Sequence, residues 1–141
     1  VSTYINSGNV VFGTDLDQHG LSSLIEEAIE NEFGMYVPVV VRNADQINQT
    51  LLAVSENWTN DSKQRTDVMF LWNDIDNEHI LQAIHINPEI ESVLYVPGAL
   101  VWNIAREHVL QGGGIKLIKT DVYKKMTIRN INTVRKLQTL L

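Results

Sequence analysis

The densest set of side chains able to bind a ligand lies near the end of the 141-residue chain, at the start of a predicted helix. The set comprises Arg129, Asn130, Asn132, Arg135 and Lys136. Arginine can bind phosphate through two parallel hydrogen bonds, and asparagine can pair with the edge of a base. The cluster therefore predicts a site for a phosphate-bearing small molecule or nucleic acid. The alternative is a capped helix whose polar residues tie the C-terminus to the turn at residues 6–9.

Two loops supply further candidate binding residues. Asn6, Ser7 and Asn9 stand around Gly8, and they either face a ligand or form a hairpin turn that hydrogen-bonds its own backbone. Three glycines, residues 112–114, precede Lys116 and Lys119 at a predicted helix start, where free amides and the helix dipole favour an anion. A flexible linker is the alternative, and the spacing does not match a Walker A loop.

Residue types that commonly catalyse reactions or bind metals show no matching pattern. The 4 histidines have no metal-ligand spacing, and the chain has no cysteine, which excludes disulfides, zinc–thiolate sites and cysteine nucleophiles. Glu26, Glu27 and Glu30 fall on the solvated face of a predicted helix. We therefore predict no catalytic residue, no metal and no cofactor, and we favour a non-enzymatic protein. An enzyme whose site is completed by a segment outside this chain is the open alternative.

The net charge of −6 is distributed unevenly along the chain. Residues 1–105 carry 3 Lys/Arg and 15 Asp/Glu, whereas residues 106–141 carry 8 Lys/Arg and 2 Asp/Glu. The basic end either binds an anion or pairs with the acidic part of the chain. No apolar run approaches the roughly 20 residues that cross a bilayer, and no signal peptide is recognisable. We expect a cytoplasmic protein without membrane contact.

The hydrophobic pattern predicts an α+β protein. Predicted strands are Ser2–Ile5, Val10–Phe12, Val37–Arg42, Thr66–Trp72, Ser92–Val96 and Ala99–Ala105. Predicted helices cover Leu21–Phe33, Ala44–Val54 after an Asn43–Gln46 capping box, a short stretch at Ile80–Ile84 capped by Asp74 or Asp76, Ile115–Met126, and Asn130–Leu141. In the last helix an apolar stripe runs through Ile131, Val134, Leu137, Leu140 and Leu141, and Thr127, Arg129 and Asn130 are expected to bind its free amides.

This order predicts two packed ferredoxin-like halves, the first truncated, followed by a C-terminal helix. The expected division is 1–54 for the first half, 55–65 for a linker and 66–141 for the second half, all in one compact unit. Val37–Arg42 and Thr66–Trp72 are expected to be central, buried strands. An open sheet edge in the first half would invite pairing, so a homodimer, or another protein–protein interaction without catalysis, is the alternative to ligand binding.

Both ends of the chain resemble the bacterial domain-of-unknown-function family 1697. The similarity lies in TYINSGNVVF at 3–12 and in TIRNINTV at 127–134 with Lys136 and Leu137, and the segments Phe33-Gly34, Val37–Val39 and Tyr95-Val96 fit the family's layout. The family usually has an aromatic residue where Ile131 stands, and it begins with a further strand, helix and glycine-containing loop that this chain lacks. The resemblance implies the α+β fold of a bacterial protein and no particular activity.

Overall fold

The fold was derived from a computed structural model that describes residues 1–6 and 8–141. The chain opens with a two-stranded antiparallel hairpin, β1 (Ser2–Tyr4) and β2 (Asn9–Val11), in which Thr3 pairs with Val10. Gly8 takes a φ of 77°, a left-handed conformation that glycine adopts without steric cost. The hairpin predicted from the alternating residues around this turn is confirmed, while the predicted role of Ser7 lies outside the described residues.

The larger sheet has four antiparallel strands. In chain order they are β3 (Gln64–Leu71), β4 (Glu91–Val96), β5 (Ala99–Ala105) and β6 (Met126–Asn130), and their spatial order is β4-β5-β3-β6. The predicted strand Thr66–Trp72 is confirmed as central, because β3 pairs with β5 on one side and with β6 on the other. The predicted hairpin around Pro97 and Gly98 is confirmed as the β4–β5 pair.

Four α-helices accompany the sheets: α1 (Leu21–Phe33), α2 (Ala44–Ala53), α3 (Gly113–Leu117) and α4 (Ile131–Gln138). Short 3₁₀ helices cover Asn73–Ile75, Glu78–Ala83, Arg106–Gln111 and Asp121–Lys125. α1 ends at Gly34 as predicted, and Asn43 and Gln46 form the predicted reciprocal capping box of α2. Across residues 1–6 and 8–141, every helix is too short or too polar to span a bilayer.

The larger sheet separates two apolar layers because side chains alternate along β3. Val68 and Phe70 point to the side covered by α2 and α4, which we call the α4 face, where Ile131 and Val134 are fully buried. Met69 and Leu71 point to the opposite side, which we call the α3 face and which is covered by α3 and 3₁₀ segments. The alternation of side chains along β3 therefore provides an apolar surface on each side of the sheet, against which the helices of that side pack.

The predicted buried strand at Val37–Arg42 is wrong. These residues form no strand, and residues 37–38 are exposed while residues 39–42 are half-buried. Valine favours a pleated surface, but a strand also needs a partner edge, and no described strand pairs with this segment. The Val39 amide donates instead to a carboxylate oxygen of Glu26 on α1, at 3.0 Å.

The predicted helix Ile115–Met126 is also wrong in its second part. α3 stops at Leu117, and Met126 opens strand β6, which the sequence prediction missed. Asn130 caps α4 as predicted by accepting from the Thr133 amide at 3.0 Å, but Thr127 lies inside β6 and caps nothing. Because α4 ends at Gln138, Leu140 and Leu141 lie beyond the helix and are 42 % and 53 % exposed.

The short helix after β3 is also capped differently from the prediction. Asn77 caps Glu78–Ala83 by accepting from the His79 amide, whereas Asp74 pairs with Lys125 and Asp76 bonds to the β4–β5 turn. The α+β class is confirmed. The ferredoxin-like topology of two halves and the division at residues 55–65 stay predictions.

Candidate binding groove

An apolar groove of about 410 Å³ separates the N-terminal hairpin from the α4 face of the larger sheet. One wall is β2 with Val10 and Val11, and the other is the extended segment 37–40. Phe70 of β3, which we call the floor, and Leu137 of α4 also line the groove. The second wall follows from local structure. α1 ends at Gly34, and the chain then continues as the extended segment 37–40 before α2 begins.

The backbone on both sides of the groove lacks strand partners. β2 pairs with β1 along one edge, and no other described strand pairs with β2. Residues 37–41 make no backbone-to-backbone hydrogen bond among the described residues, although the Val39 amide and the Val41 carbonyl bond to side chains. Such edges bind extended polypeptide readily, because each unpaired amide and carbonyl is a directional donor or acceptor. The groove therefore presents strand-like edges on two sides.

Arg129 closes the polar end of the groove. Its Nε donates to Oδ1 of Asn9 at 2.8 Å, and its Nη1 donates to Oγ1 of Thr127 at 3.1 Å and to the carbonyl of Ile128 at 2.8 Å. Asn9 in turn donates to the carbonyl of Tyr4 at 3.0 Å. Burial lowers the pKa of the Arg129 guanidinium from its ordinary value. The contact confirms that polar residues near the C-terminus tie it to the turn at residues 6–9.

Arg42 anchors the second wall to the larger sheet. Its Nη2 donates to the carbonyls of Leu71 at 2.7 Å and Gly98 at 3.0 Å, and its Nη1 donates to the carbonyl of Val41 at 2.9 Å. The guanidinium also lies 5.8 Å from the centre of the Phe70 ring. Burial lowers the pKa of Arg42, and nearby Asp76 opposes that shift. The contacts of Arg42 thereby hold this wall in a fixed position relative to Phe70 on the groove floor.

Glu26 joins the same wall to α1. Its two carboxylate oxygens accept from the Val39 amide at 3.0 Å and from the Tyr36 hydroxyl at 3.2 Å. Desolvation raises the pKa of Tyr36, and the negative charges of Glu26 and Glu30 add to the rise. Glu26 was expected on a solvated face, so the contact gives this side chain a structural role that periodicity does not reveal.

The other predicted ligand residues of α4 lie on the groove's side of the sheet but bond elsewhere. Asn132 donates to the carbonyl of Asn60 at 2.9 Å, and Arg135 donates to the carbonyl of Ser55 at 3.4 Å. Asn130 caps the helix, and Lys136 is exposed. These contacts fasten α4 to the chain between α2 and β3. Asn6 is exposed in the hairpin turn.

The predicted anion site around the triglycine is built differently. Gly113 donates its amide to both oxygens of the buried Glu91 carboxylate, at 2.9 and 2.8 Å, and Trp102 donates its indole nitrogen to the same group at 2.9 Å. The carboxylate that the Gly113 amide binds therefore belongs to the protein itself. α3 covers the α3 face, so Lys116 and Lys119 lie across the sheet from Arg135 and Lys136.

The three glycines are not a flexible linker. All are buried, and a Cβ on Gly114 would lie 2.5 Å from Cε2 of Trp102. A Cβ on Gly113 would lie 2.3 Å from the carbonyl oxygen of His85. Only glycine allows these close approaches, so the prediction of a linker is wrong for a steric reason.

A second cavity, of about 620 Å³, is polar and lies between the start of α1, α2 and the β4–β5 turn. Several of its polar side chains bond to one another or to the turn: Gln18 donates to Gln46 at 2.7 Å, and Asp76 accepts from the Tyr95 hydroxyl and the Gly98 amide, both at 2.8 Å. Among the described residues no group of three or more His, Asp or Glu is placed to hold a metal ion.

Sequence reasoning missed Arg42, Glu26 and the unpaired edge at 37–41 as parts of a site. Arg42 carried a signal, because it ends an apolar run and is the only basic residue of the first 62. A tie between the polar residues near the C-terminus and the turn at residues 6–9 is one of the two sequence alternatives, and the bond of Arg129 to Asn9 agrees with it. The groove itself depends on how β2 and residues 37–41 face each other, and neither segment reveals this alone.

Comparisons with known proteins agree with this fold. A solved structure described as a conserved bacterial protein from Streptococcus pneumoniae superposes with a TM-score of 0.82 at 20 % identity, over 99 % of this chain and 78 % of that one. At that identity the likeness shows the fold alone. A comparison with curated proteins finds no significant match. The model of the family described as protein of unknown function (DUF1697) matches residues 1–102, so this chain belongs to the DUF1697 family.

Proposed function

We propose that the protein is an interaction module that accepts an extended polypeptide segment in the groove between β2 and residues 37–41. One observation carries the proposal: the second edge of β2 and the extended segment 37–40, which have no strand partner among the described residues, border the same apolar groove. A bound segment would add main-chain hydrogen bonds to these edges and place every second side chain on the floor around Phe70.

The poor coverage of the N-terminal layer supports this proposal. Leu21 is the one buried residue of α1, while Leu24 and Phe33 on the same helix are 56 % and 69 % exposed. Val10 of β2 is 56 % exposed, and Met35 is 59 % exposed. Several large apolar side chains of the N-terminal layer are therefore open to solvent, and grouped apolar exposure typically marks a surface that another molecule covers.

Selection from a displayed library of random short peptides tests the proposal. We expect enrichment of alternating apolar sequences, because only every second side chain of a strand faces the floor. On addition of a selected peptide, amide exchange of Val37 and Val40 should slow, since these groups line the groove and would gain hydrogen-bond partners. Binding should be lost in Val10→Lys and Val37→Lys, both at exposed positions of the groove walls.

Two exposed leucines outside the groove provide matched controls. Leu52 and Leu110 are 84 % and 86 % exposed, so Leu52→Lys and Leu110→Lys add the same charge at sites remote from the groove. Peptide affinity should be unchanged in both. No enrichment of any peptide, or equal loss of binding in the groove and control variants, would refute the interaction function.

Binding of a phosphate-bearing ligand by the basic C-terminal third is our second candidate. Its support is the excess of 8 Lys/Arg over 2 Asp/Glu in residues 106–141. We rank it second because the basic side chains are divided between the two faces of the sheet, and Arg129 and Lys125 bond internally. A bacterial cytoplasmic location, proposed on sequence grounds, suits either candidate.

A further inference from the structure

We infer that the segment accepted by the groove carries basic residues beside its apolar core, an inference that rests on the proposed function. Residues 1–41 contain six Asp/Glu and no Lys or Arg. Four of these acidic residues belong to α1: Glu26, Glu27, Glu30 and Glu32. Residues 1–41 thus carry one sign of charge. The groove itself is lined by Arg42 and Arg129, whose guanidinium groups donate hydrogen bonds within the protein, so the basic residues of a partner would complement the α1 rim beside the groove.

The acidic helix stands directly beside the groove wall. Glu26 bonds to the Val39 amide and to the Tyr36 hydroxyl, so α1 and the segment 36–39 are in contact. Glu30 is close enough to act electrostatically on Tyr36. Glu27, Glu30 and Glu32 are exposed, so their carboxylates are accessible to a cation carried by a bound segment. A basic residue just outside the apolar core of that segment would reach this rim.

A second copy of the chain fits the groove less well. A two-fold symmetric contact would bring two such acidic layers together, and like charges at an interface oppose association. A head-to-tail contact would have to use residues 106–141, where Lys116 lies on a helix and Lys136 lies on another. Arg129, on the strand of that region, already binds Asn9. Arg65, on β3, likewise bonds to Asp67, so the basic residues that a second copy carries on strands bond within the chain.

Two synthetic peptides with the same alternating valine–threonine core test the inference. One has two lysines at each end and the other has two glutamates. At low salt we expect the lysine peptide to bind about fivefold more tightly or better, the effect of one or two exposed ion pairs. The ratio should fall toward one as salt rises, because screening weakens exposed charge pairs.

Charge-neutralising variants connect the preference to α1. The pair Glu27→Gln with Glu30→Gln should remove the preference for the lysine peptide while the apolar core still binds. The matched control is Glu89→Gln with Glu107→Gln, at two exposed positions outside the N-terminal layer, which makes the same change in net charge and should retain the preference. Equal loss in both pairs would overturn the assignment to α1.

The possible failures are distinguishable. Equal affinity for both peptides at low salt would overturn the inference and leave the groove as a peptide site. Absence of binding by either peptide, with no peptide enriched from the random library, would overturn the proposed function itself. A dimer in sedimentation equilibrium that resists high salt and is abolished by Val10→Lys would replace the basic segment with a second copy as the occupant.

Discussion

Nε of Arg129 donates a hydrogen bond of 2.8 Å to Oδ1 of Asn9, across 120 positions of the chain. The bond joins the edge strand β6 to the first residue of β2. Since β1 and β2 contribute one buried residue between them, Asn9, this polar contact is a main attachment of the hairpin to the larger sheet. Both side chains line the groove, so the same bond fixes one part of its wall.

We predict that Arg129→Lys lowers the free energy of unfolding by about 2 kcal/mol, the usual contribution of hydrogen bonds to a charged group. Lysine cannot reproduce the fork that bonds to Asn9, Thr127 and Ile128. Urea unfolding of Arg129→Lys, Asn9→Ala and the double variant measures the coupling, expected to exceed about 0.5 kcal/mol. Strictly additive losses would show that the two side chains stabilise the fold independently.

We predict that Asn130→Ala destabilises the protein by about 1 kcal/mol, because the Thr133 amide loses its acceptor at the start of α4. Asn130→Asp is the matched control, since aspartate also caps helices well. The urea midpoint of each variant checks this. A midpoint for Asn130→Ala equal to that of the wild type would exclude a capping contribution.

The elements that sequence predicts well are those whose pattern is local. α1 follows from its apolar spacing and from Gly34, and α2 follows from the Asn43–Gln46 box, because caps and periodicity act within one turn. The segment 37–41 was misassigned because a strand requires a partner edge as well as valines. The sequence analysis does not predict β6. Met126 and Ile128 alternate with Thr127 and Arg129, which is the period-two signal of a strand, but Met126 was assigned to the end of a predicted helix.

The candidate site was predictable only in part for a related reason. The turn at Asn9 and the guanidinium of Arg129 were both singled out, and the structure joins them. The separation of Lys116 from Lys136 could not be seen, because it depends on the path of β6 between α3 and α4. Net charge along a sequence gives no information about which side of a sheet each residue occupies.

We predict that Gly113→Ala destabilises the protein by more than about 3 kcal/mol or prevents folding, since overpacking against backbone is difficult to relieve. The added Cβ would lie 2.3 Å from the carbonyl oxygen of His85. Gly13→Ala is the control, because a Cβ there meets nothing within 4 Å. Thermal unfolding of both variants provides the measurement, and similar transition temperatures would contradict the close packing of the triglycine.

A pH-dependent penalty should come from Asp67, a carboxylate that is 5 % exposed in β3. Desolvation raises its pKa above the ordinary 3.8, and the charge and hydrogen bond of Arg65 oppose the rise without cancelling it. A raised pKa in the folded state means that the folded protein holds this proton more firmly. The free energy of unfolding therefore falls as pH rises from about 3.8 through the folded-state pKa.

Asp67→Asn isolates this effect, because asparagine remains neutral at every pH. We expect the variant to gain stability relative to the wild type as pH rises from 3.5 to about 7, measured as the difference between their urea midpoints. Taking the difference cancels the other carboxylates, including Asp61 and Asp74, whose pKa values are lowered by hydrogen bonds. A difference that does not change with pH would contradict the raised pKa.

The last prediction concerns the phosphate-bearing ligand, our second candidate, and it follows from the division of basic residues between two faces. A polyphosphate bound on the α4 face would meet Arg135 and Lys136, whereas one bound near α3 would meet Lys116 and Lys119. We therefore expect that only one of two double variants, Arg135→Ala with Lys136→Ala or Lys116→Ala with Lys119→Ala, weakens binding. Titration of polyphosphate at several salt concentrations gives the affinity and its salt dependence for each variant and for the wild type. If two basic side chains neutralise two phosphates of a duplex DNA, the plot of log affinity against log salt should have a slope of about −1.8. A site that used all eight basic residues of the region would give a much steeper slope. Equal weakening by both double variants would require a ligand that reaches around the sheet, and no binding by the wild type at low salt would eliminate this candidate.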